Sequence, residues 1–519
     1  MTIDVAIRNG RVIDGSGRPS IAADVGIAGD RVVALGQVPE ATTEIDANGL
    51  DVAPGFVDVH SHSDYTLLVD PRAVSALHQG VTTEIVGNCG HGCFPIANPT
   101  LAQRAIYGYT PSLPLTWRDA AGYFERLEAT APAVNVASLV PNGQLRLAVV
   151  GLEDRPATLD ELASMGTLLE ESLEQGAWGY STGLEYAAER AASPDELGSL
   201  CSVCARSGGL YATHTRFRDA GSEAAVDEAI ETAERAGARL QVSHLVPRNG
   251  IEATRACVHR VEHAASHGLD VAFDMHTRLF GTTFLSTAVP PAFLHDDRFG
   301  TVEGRREAVE AMASYTSILS AGDDWSRIVL LDNDLWPEYA RLDIASIAAD
   351  RRQTAPEAIC DLLAASPEAL RALMVIIHCY TEDQQAEAFA HPLCAPGSDA
   401  TTLAPDGPLA TSFFHGAYTW AAWYLRFMVR ERSLLSLEEA VKRLTSDPAE
   451  RVGLRDRGVL RVGGFADVAI LDSAEISERG TTFEPNRLAT GVRHVLVNGE
   501  LALADGALTA NRAGRVLRR

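Results

Sequence analysis

Ala53-Pro-Gly-Phe-Val-Asp-Val-His-Ser-His-Ser-Asp64 is the stretch on which the reading of the whole chain turns. Phe56, Val57 and Val59 form a short apolar run of the kind that becomes a buried strand. His60 and His62 follow it, two positions apart. Side chains at i and i+2 of a strand point to the same side. Both imidazoles can therefore face one point in space, which suits a metal ion. A pair of surface histidines at a strand end would carry the same letters, so the rest of the chain has to decide between the two.

The chain has 519 residues, enough for one large domain with a satellite or for two to three domains, and 46% hydrophobic content makes it globular. The formal charge is −25 with no basic run, which makes nucleic acid and anionic membrane surfaces poor partners. No apolar run is long enough to span a bilayer, and Met1-Thr-Ile-Asp-Val5 lacks the basic-then-apolar pattern of a secretory signal. The eight cysteines are too sparse for a disulfide scaffold and are expected as reduced thiols, in a cytoplasmic protein. A homo-oligomer is left open. Lys442 is the only lysine, so almost no position can host a lysine's chemistry.

Outward from the opening strand, residues 3–37 alternate short β-like runs with turns: Val5-Ala-Ile7, Asn9-Gly10, Val12-Ile13 and Val32-Val-Ala-Leu35. Asn-Gly between such runs predicts a hairpin, because type I′ turns need φ > 0 at both central residues. The far end has the same style, with a strand at Asp467–Leu471 and a hairpin at Val495-Leu-Val-Asn-Gly-Glu-Leu501. Neither end can bury a core alone, so 1–52 and 455–519 are expected to pair into one small β-sandwich domain. Between them the rhythm becomes strand–helix. Strands are expected at 83–86, 134–140, 177–180, 210–213, 240–243, 270–273, 375–377 and 393–398. Capping boxes at Thr158-x-x-Glu161 and Ser193-x-x-Glu196 open two of the helices, and Ser222–Ala236 and Ala253–Ser266 have helical composition. Repeated strand–helix units imply a parallel sheet with helical crossovers. Roughly eight units fit residues 53–454, the size of an α/β (β/α)8 TIM-like barrel, with an irregular polar insertion around 281–350.

Several polar residues able to bind metal follow directly after apolar strand-like runs. Cys89 follows Ile85-Val-Gly-Asn88, His214 follows Leu210-Tyr-Ala-Thr213, His244 follows Leu240-Gln-Val-Ser243, and Asp399 ends Gly397-Ser-Asp399. In a barrel the strand C-termini converge on one face, so these residues would meet His60 and His62 there. Four imidazoles, one thiolate and one carboxylate favour Zn2+ over hard cations. Each residue alone reads as an ordinary buried thiol or strand end; six together at strand termini are hard to explain as packing.

Pro54-Gly-Phe-Val-Asp-Val-His-Ser-His62, with Ala466-Asp-Val-Ala-Ile-Leu-Asp472 near the end, resembles the amidohydrolase superfamily. Gly80-Val-Thr-Thr-Glu-Ile-Val-Gly-Asn-Cys-Gly90, Ser181-Thr-Gly-Leu-Glu-Tyr186, Thr213-His-Thr-Arg216 and Ser243-His244 are similar to its N-acyl-D-amino-acid deacylase (D-aminoacylase) branch. The resemblance implies a tight zinc on Cys89, His214 and His244, and a second, weaker one at His60, His62 and Asp399 with Cys89 able to bridge. Many relatives bridge their metals with a carbamylated lysine. With Lys442 in a late helical stretch, the bridge here must be Cys89. Asp399 would take a proton from water and return it to the leaving nitrogen. The function implied is zinc-dependent cleavage of a linear amide in a small molecule.

The likeness breaks where the branch binds its substrate's α-carboxylate. Its lysine two residues after the last metal histidine is Val246 here. Its Asp-x-Tyr-Pro-Tyr-like run is Asp274-Met-His-Thr-Arg278, its His-Pro-Arg-x-Tyr-like segment is Phe414-His-Gly-Ala-Tyr418, and a Gly-His pair is Pro141-Asn142. Candidate substrate residues are therefore Asn142, Tyr186, Arg216, Arg248, His276 and Arg278, with Arg248 or Arg278 as a displaced cation and His276 as a donor. The alternatives are a cyclic-amide hydrolase or deaminase on the same scaffold, or a non-catalytic binding protein. Loss of metal ligands would mark the last, and all six are present.

Overall fold

Two parallel sheets, one of six strands and one of three, make a single ring. We number the strands β1 (Phe56–Asp58), β2 (Val81–Val86), β3 (Asn135–Ser138, continued by Val140–Pro141), β4 (Gly179–Gly183), β5 (Leu210–His214), β6 (Arg239–Val242), β7 (Val271–His276) and β8 (Cys394–Gly397). β3 belongs to both sheets, through β2 on one side and β4 on the other. The remaining gap, from β8 back to β1, is bridged in parallel by Ser61 and Ala400, with Asp399 N–H donating to the His60 carbonyl at 2.8 Å. The result is a (β/α)8 barrel. Strands β2, β4 and β5 are buried at every position, as strands covered on both faces must be. This computed structural model describes residues 2–110, 112–294, 297–315, 317–319, 324–366 and 369–519. No helix among the described residues is long and apolar enough to cross a membrane.

The termini share one nine-stranded sheet, in which Asp51–Pro54 pairs with Ile3–Val12 on one side and Val468–Leu471 on the other. Its inner face closes on a single apolar core to which both ends contribute, among them Ile7, Val25, Ile27, Val52, Val468, Ile470 and Leu496. Asn498-Gly499 is the hairpin turn its sequence predicts, with Val497 facing Glu500 and both turn residues at positive φ. Asn9-Gly10 is not. Ile3–Val12 runs through it as one strand, and the register against Ile21–Ala28 shifts between Ile7 and Gly10, which makes a bulge. Asn9 takes φ 60° there, and a Cβ on Gly10 would lie 2.5 Å from Val52 Cγ2. Glycine serves the close approach of a neighbouring strand rather than a chain reversal.

Two further expectations need correction. The strand read at 375–377 is Met374–His378, and it pairs antiparallel with Phe280–Phe284 and Ile328–Leu330, so it is no barrel strand. It belongs to a second compact unit, Arg278–Glu382, which contains the stretch expected as an irregular insertion and holds helices such as Val302–Met312 and Ala355–Leu363. Capping differs as well. Thr158 and Glu161 form the full reciprocal box. At Ser193 only half forms: its hydroxyl accepts from Glu196 N–H, while the Glu196 carboxylate is taken by Arg146 and the Ala157 N–H. Helix Ser222–Ala236 has the bounds read from its composition.

Candidate metal centre

The barrel delivers the six residues to one place. His60 and His62 follow β1, Cys89 follows β2, His214 ends β5, His244 follows β6 and Asp399 follows β8. Two overlapping sets each have donor atoms within 4.8 Å of one another: His60, His62, Cys89 and Asp399, and Cys89, His214 and His244. Cys89 is common to both. Its Sγ lies 3.2 Å from His60 Nε2 and 3.4 Å from His244 Nε2, and Asp399 Oδ1 lies 3.2 Å from His62 Nε2. Cys89, His244 and Asp399 all have positive φ, at 53°, 35° and 43°. Left-handed backbone at non-glycine residues costs on the order of 1–3 kcal/mol each and collects at functional sites. Here it turns three side chains inward just past the strand ends. Lys442 is remote from these termini in sequence, in helix Leu437–Leu444, with Nζ 2.6 Å from Asp447.

The donor chemistry fits a soft cation. Burial pushes the Cys89 thiol up to about 11, with His60 opposing. Burial also lowers His244, helped by positive Arg218, and lowers His214 against the pull of Glu185. Neutral imidazoles are the form that binds metal, and these two are pushed that way; His60, against its burial, is raised well above its ordinary value by Cys89 and Asp274. His244 Nδ1 is buried without a hydrogen bond, and its Nε2 faces the Cys89 sulfur. A thiol and imidazoles so packed satisfy one another poorly, and a thiophilic cation would be a partner common to all of them.

The orientation of these side chains is fixed from behind. Asp274 Oδ1 accepts from His60 Nδ1 at 2.9 Å and from the His244 backbone N–H at 2.8 Å, and its Oδ2 accepts from Gln241. That leaves His60 Nε2 to face Cys89. In the sequence Asp274 stands only within the substrate run, although its spacing carries the signal: Asp274 and His276 are i and i+2 of one strand, as His60 and His62 are near another. Glu185 was also missed. Its Oε2 lies 2.9 Å from His214 Nε2.

The substrate candidates divide. His276 Nε2 sits 3.9 Å from Asp399 Oδ2, and Tyr186 packs its ring on His214 and His91, with its hydroxyl 3.4 Å from His214 Nδ1. Asn142 opens helix Asn142–Val149 and donates to buried Glu189 at 2.8 Å. Arg216 is held by Glu228 and by the Arg190 and Ala192 carbonyls. Arg248 is paired with Glu185 and Asp219. Arg278 opens the second unit.

Gly183 supports the Cys89 turn. A Cβ there would lie 2.1 Å from the Cys89 carbonyl oxygen, a backbone atom that cannot step aside. Gly183→Ala is expected to cost roughly 1–3 kcal/mol of stability and to lower metal retention with it. Thermal melting and elemental analysis of the same sample check this; unchanged values in both would show that the turn tolerates the methyl group.

The amidohydrolase family model matches residues 43–316 and 376–502. N-acyl-D-glutamate deacylase of Alcaligenes xylosoxydans xylosoxydans is 33% identical, over 100% of this chain and 97% of its own length. D-aminoacylase of the same organism is 30% identical over 99% and 98%. The crystal structure of N-acyl-D-glutamate deacylase from Bordetella bronchiseptica superposes with a TM-score of 0.82 at 31% identity, covering 100% of both chains. That structure holds zinc and a phosphonate inhibitor that mimics the reaction's tetrahedral intermediate. A chain whose histidines, cysteine and aspartate meet at the strand ends of such a barrel, and which matches these proteins from end to end, belongs to the amidohydrolase family, in the branch of the D-aminoacylases and N-acyl-D-amino-acid deacylases.

Proposed function

We propose that this protein is a zinc-dependent amidohydrolase that cleaves a linear amide lacking a free α-carboxylate, or one that presents its anion elsewhere. The convergence of Cys89, four imidazoles and the partly exposed Asp399 on one mouth of the barrel carries the reading. Cys89, His214 and His244 would hold one zinc tightly; His60, His62 and Asp399 would hold a second more loosely, sharing Cys89. Zinc bound there supplies Lewis acidity, which acidifies water and polarises a carbonyl.

The chain's own groups do the rest. Asp399 differs from the other candidates in its exposure: its side chain is 18% accessible, against 0% for His60 and 2% for His62. A carboxylate at that boundary reaches both solvent and substrate, so it takes the proton from the attacking water and returns it to the departing nitrogen. His276, whose Nε2 is 3.9 Å from Asp399 Oδ2, would donate to the substrate. The eight cysteines are free thiols, which suits a reducing compartment such as the cytoplasm.

The substrate reading rests on three replaced positions, Val246, His276 and the Gly416 region, and on what Arg248 does instead. Val246 is fully buried and apolar. Phe414-His-Gly-Ala-Tyr418 caps and opens the largely buried helix His415–Leu425 and has no arginine. Arg248 faces Glu185 and Asp219. A carboxylate desolvated without a cation costs several kcal/mol, on the order of a thousandfold in kcat/KM. N-acetyl-D-methionine and N-acetyl-D-glutamate are expected to turn over far more slowly than the matching esters or carboxylate-free amides. Efficient turnover of the free acids, with loss on Arg278→Ala, would show that the clamp has moved rather than vanished. Ammonia as the product would favour a deaminase instead.

A further inference from the structure

The motif Ser181-Thr-Gly-Leu-Glu-Tyr186 leaves its one charged residue, Glu185, without a role, and the substrate reading leaves Arg248 without one. The structure joins them. β4 and β5 run parallel with Gly183 opposite His214, and Leu184 N–H donates to the His214 carbonyl at 3.1 Å. Glu185, two residues past the end of that register, thereby comes beside the His214 ring. Its Oε2 lies 2.9 Å from His214 Nε2, and its Oε1 accepts from Arg248 Nη2. Arg248 is itself fixed on its other side by Asp219, 2.9 Å from Nη2 and 3.2 Å from Nε. The Arg248 side chain is only 3% exposed, so this is a built arrangement and not a surface pair.

We propose that Glu185, anchored by Arg248 and Asp219, is the positioning residue for His214: it accepts the Nε2 proton and so keeps Nδ1 unprotonated for the metal. The chemistry of imidazole and two observations favour this over a plain salt bridge. Imidazole has two nitrogens, and a carboxylate on one fixes the tautomer and raises the basicity of the other. His60 has the same construction, with Asp274 on Nδ1 and Nε2 facing Cys89. A second arginine, Arg218, braces the other histidine of the set by donating to the His244 carbonyl at 2.7 Å, and Arg248 N–H donates to the Arg218 carbonyl at 2.7 Å. Arg248 thus holds a metal ligand in place from the position where a substrate cation was expected.

The inference rests on the zinc reading above, and the experiment separates the two. Zinc dissociation constants are measured by chelator competition for the unsubstituted protein, Glu185→Gln, Arg248→Met and the double variant, together with visible spectra of the cobalt-substituted proteins. Glu185→Gln is expected to weaken the tight zinc by about 10- to 100-fold. It should shift the cobalt ligand-field bands while the Cys89 thiolate charge-transfer band persists. Arg248→Met should weaken zinc by less, and the double variant should be no worse than Glu185→Gln alone, because both act through one contact. Glu185→Asp should recover part of the affinity. Unchanged zinc affinity in either folded single variant, or costs that multiply in the double, overturns the positioning role while leaving the zinc reading intact. Absence of zinc binding by the unsubstituted protein overturns both. Should Glu185→Gln fail to fold, the Arg248→Met affinity and spectrum decide alone.

Discussion

Cys89→Ala is expected to leave the protein folded, without its tight metal and without activity. The sulfur is the only donor common to both candidate sets, 3.2 Å from His60 Nε2 and 3.4 Å from His244 Nε2. Removing it would take away the proposed ligand of the tight site and the proposed bridge to the looser one together. No lysine can substitute, because Lys442 is the only one and is paired with Asp447. Folding should survive: Cys89 is buried, but alanine removes a single sulfur atom and leaves the His60 imidazole and the His244 backbone hydrogen-bonded from behind by Asp274. After dialysis the unsubstituted protein should retain about one zinc per chain, as a Cys-His-His set does, and the variant close to none. Elemental analysis decides. An unsubstituted protein that is active with less than half an equivalent of any transition metal would falsify the assignment, as would a variant that keeps its full zinc.

Asp399→Asn separates metal holding from proton transfer. Asn is nearly isosteric and keeps an oxygen, but it cannot take up a proton. The tight zinc proposed on Cys89, His214 and His244 should therefore remain at full occupancy. Turnover should fall by about 10²–10⁴-fold, the usual worth of general acid–base help. Asp399 is held by its backbone, N–H to the His60 carbonyl at 2.8 Å, so the substitution should not move it. Measuring kcat alongside zinc content distinguishes the outcomes. Near-normal kcat would remove Asp399 from the chemistry, whereas loss of the tight zinc would make it a ligand of the wrong site.

How much of this was legible beforehand can be judged residue by residue. The His60–His62 spacing, the apolar run before it and the strand–helix rhythm are local signals, and they led to the barrel and to the residues at its mouth. Asn498-Gly499 read correctly because the strands on its two sides pair with each other, Leu496 with Leu501 and Val497 with Glu500. Asn9-Gly10 has the same dipeptide and is a bulge, since what decides its conformation is Val52, distant in sequence and adjacent in the sheet. Met374–His378 has a β-rich sequence, but no local pattern states whether its partners are parallel or antiparallel.

The amino-acid order by itself determined the kinds of donor present and the strand ends on which they lie, because side-chain chemistry and hydrophobic periodicity are properties of neighbouring residues. Only the folded chain decided which group holds which. Asp274 reaches His60 across 214 residues and Arg248 reaches Glu185 across 63. The same arginine that could clamp a substrate in the sequence is turned in the structure toward two carboxylates of its own chain. Such pairings are set by barrel closure and strand register, which bring together groups that no stretch of sequence contains, and a charge buried there takes whichever opposite charge the fold has placed within reach.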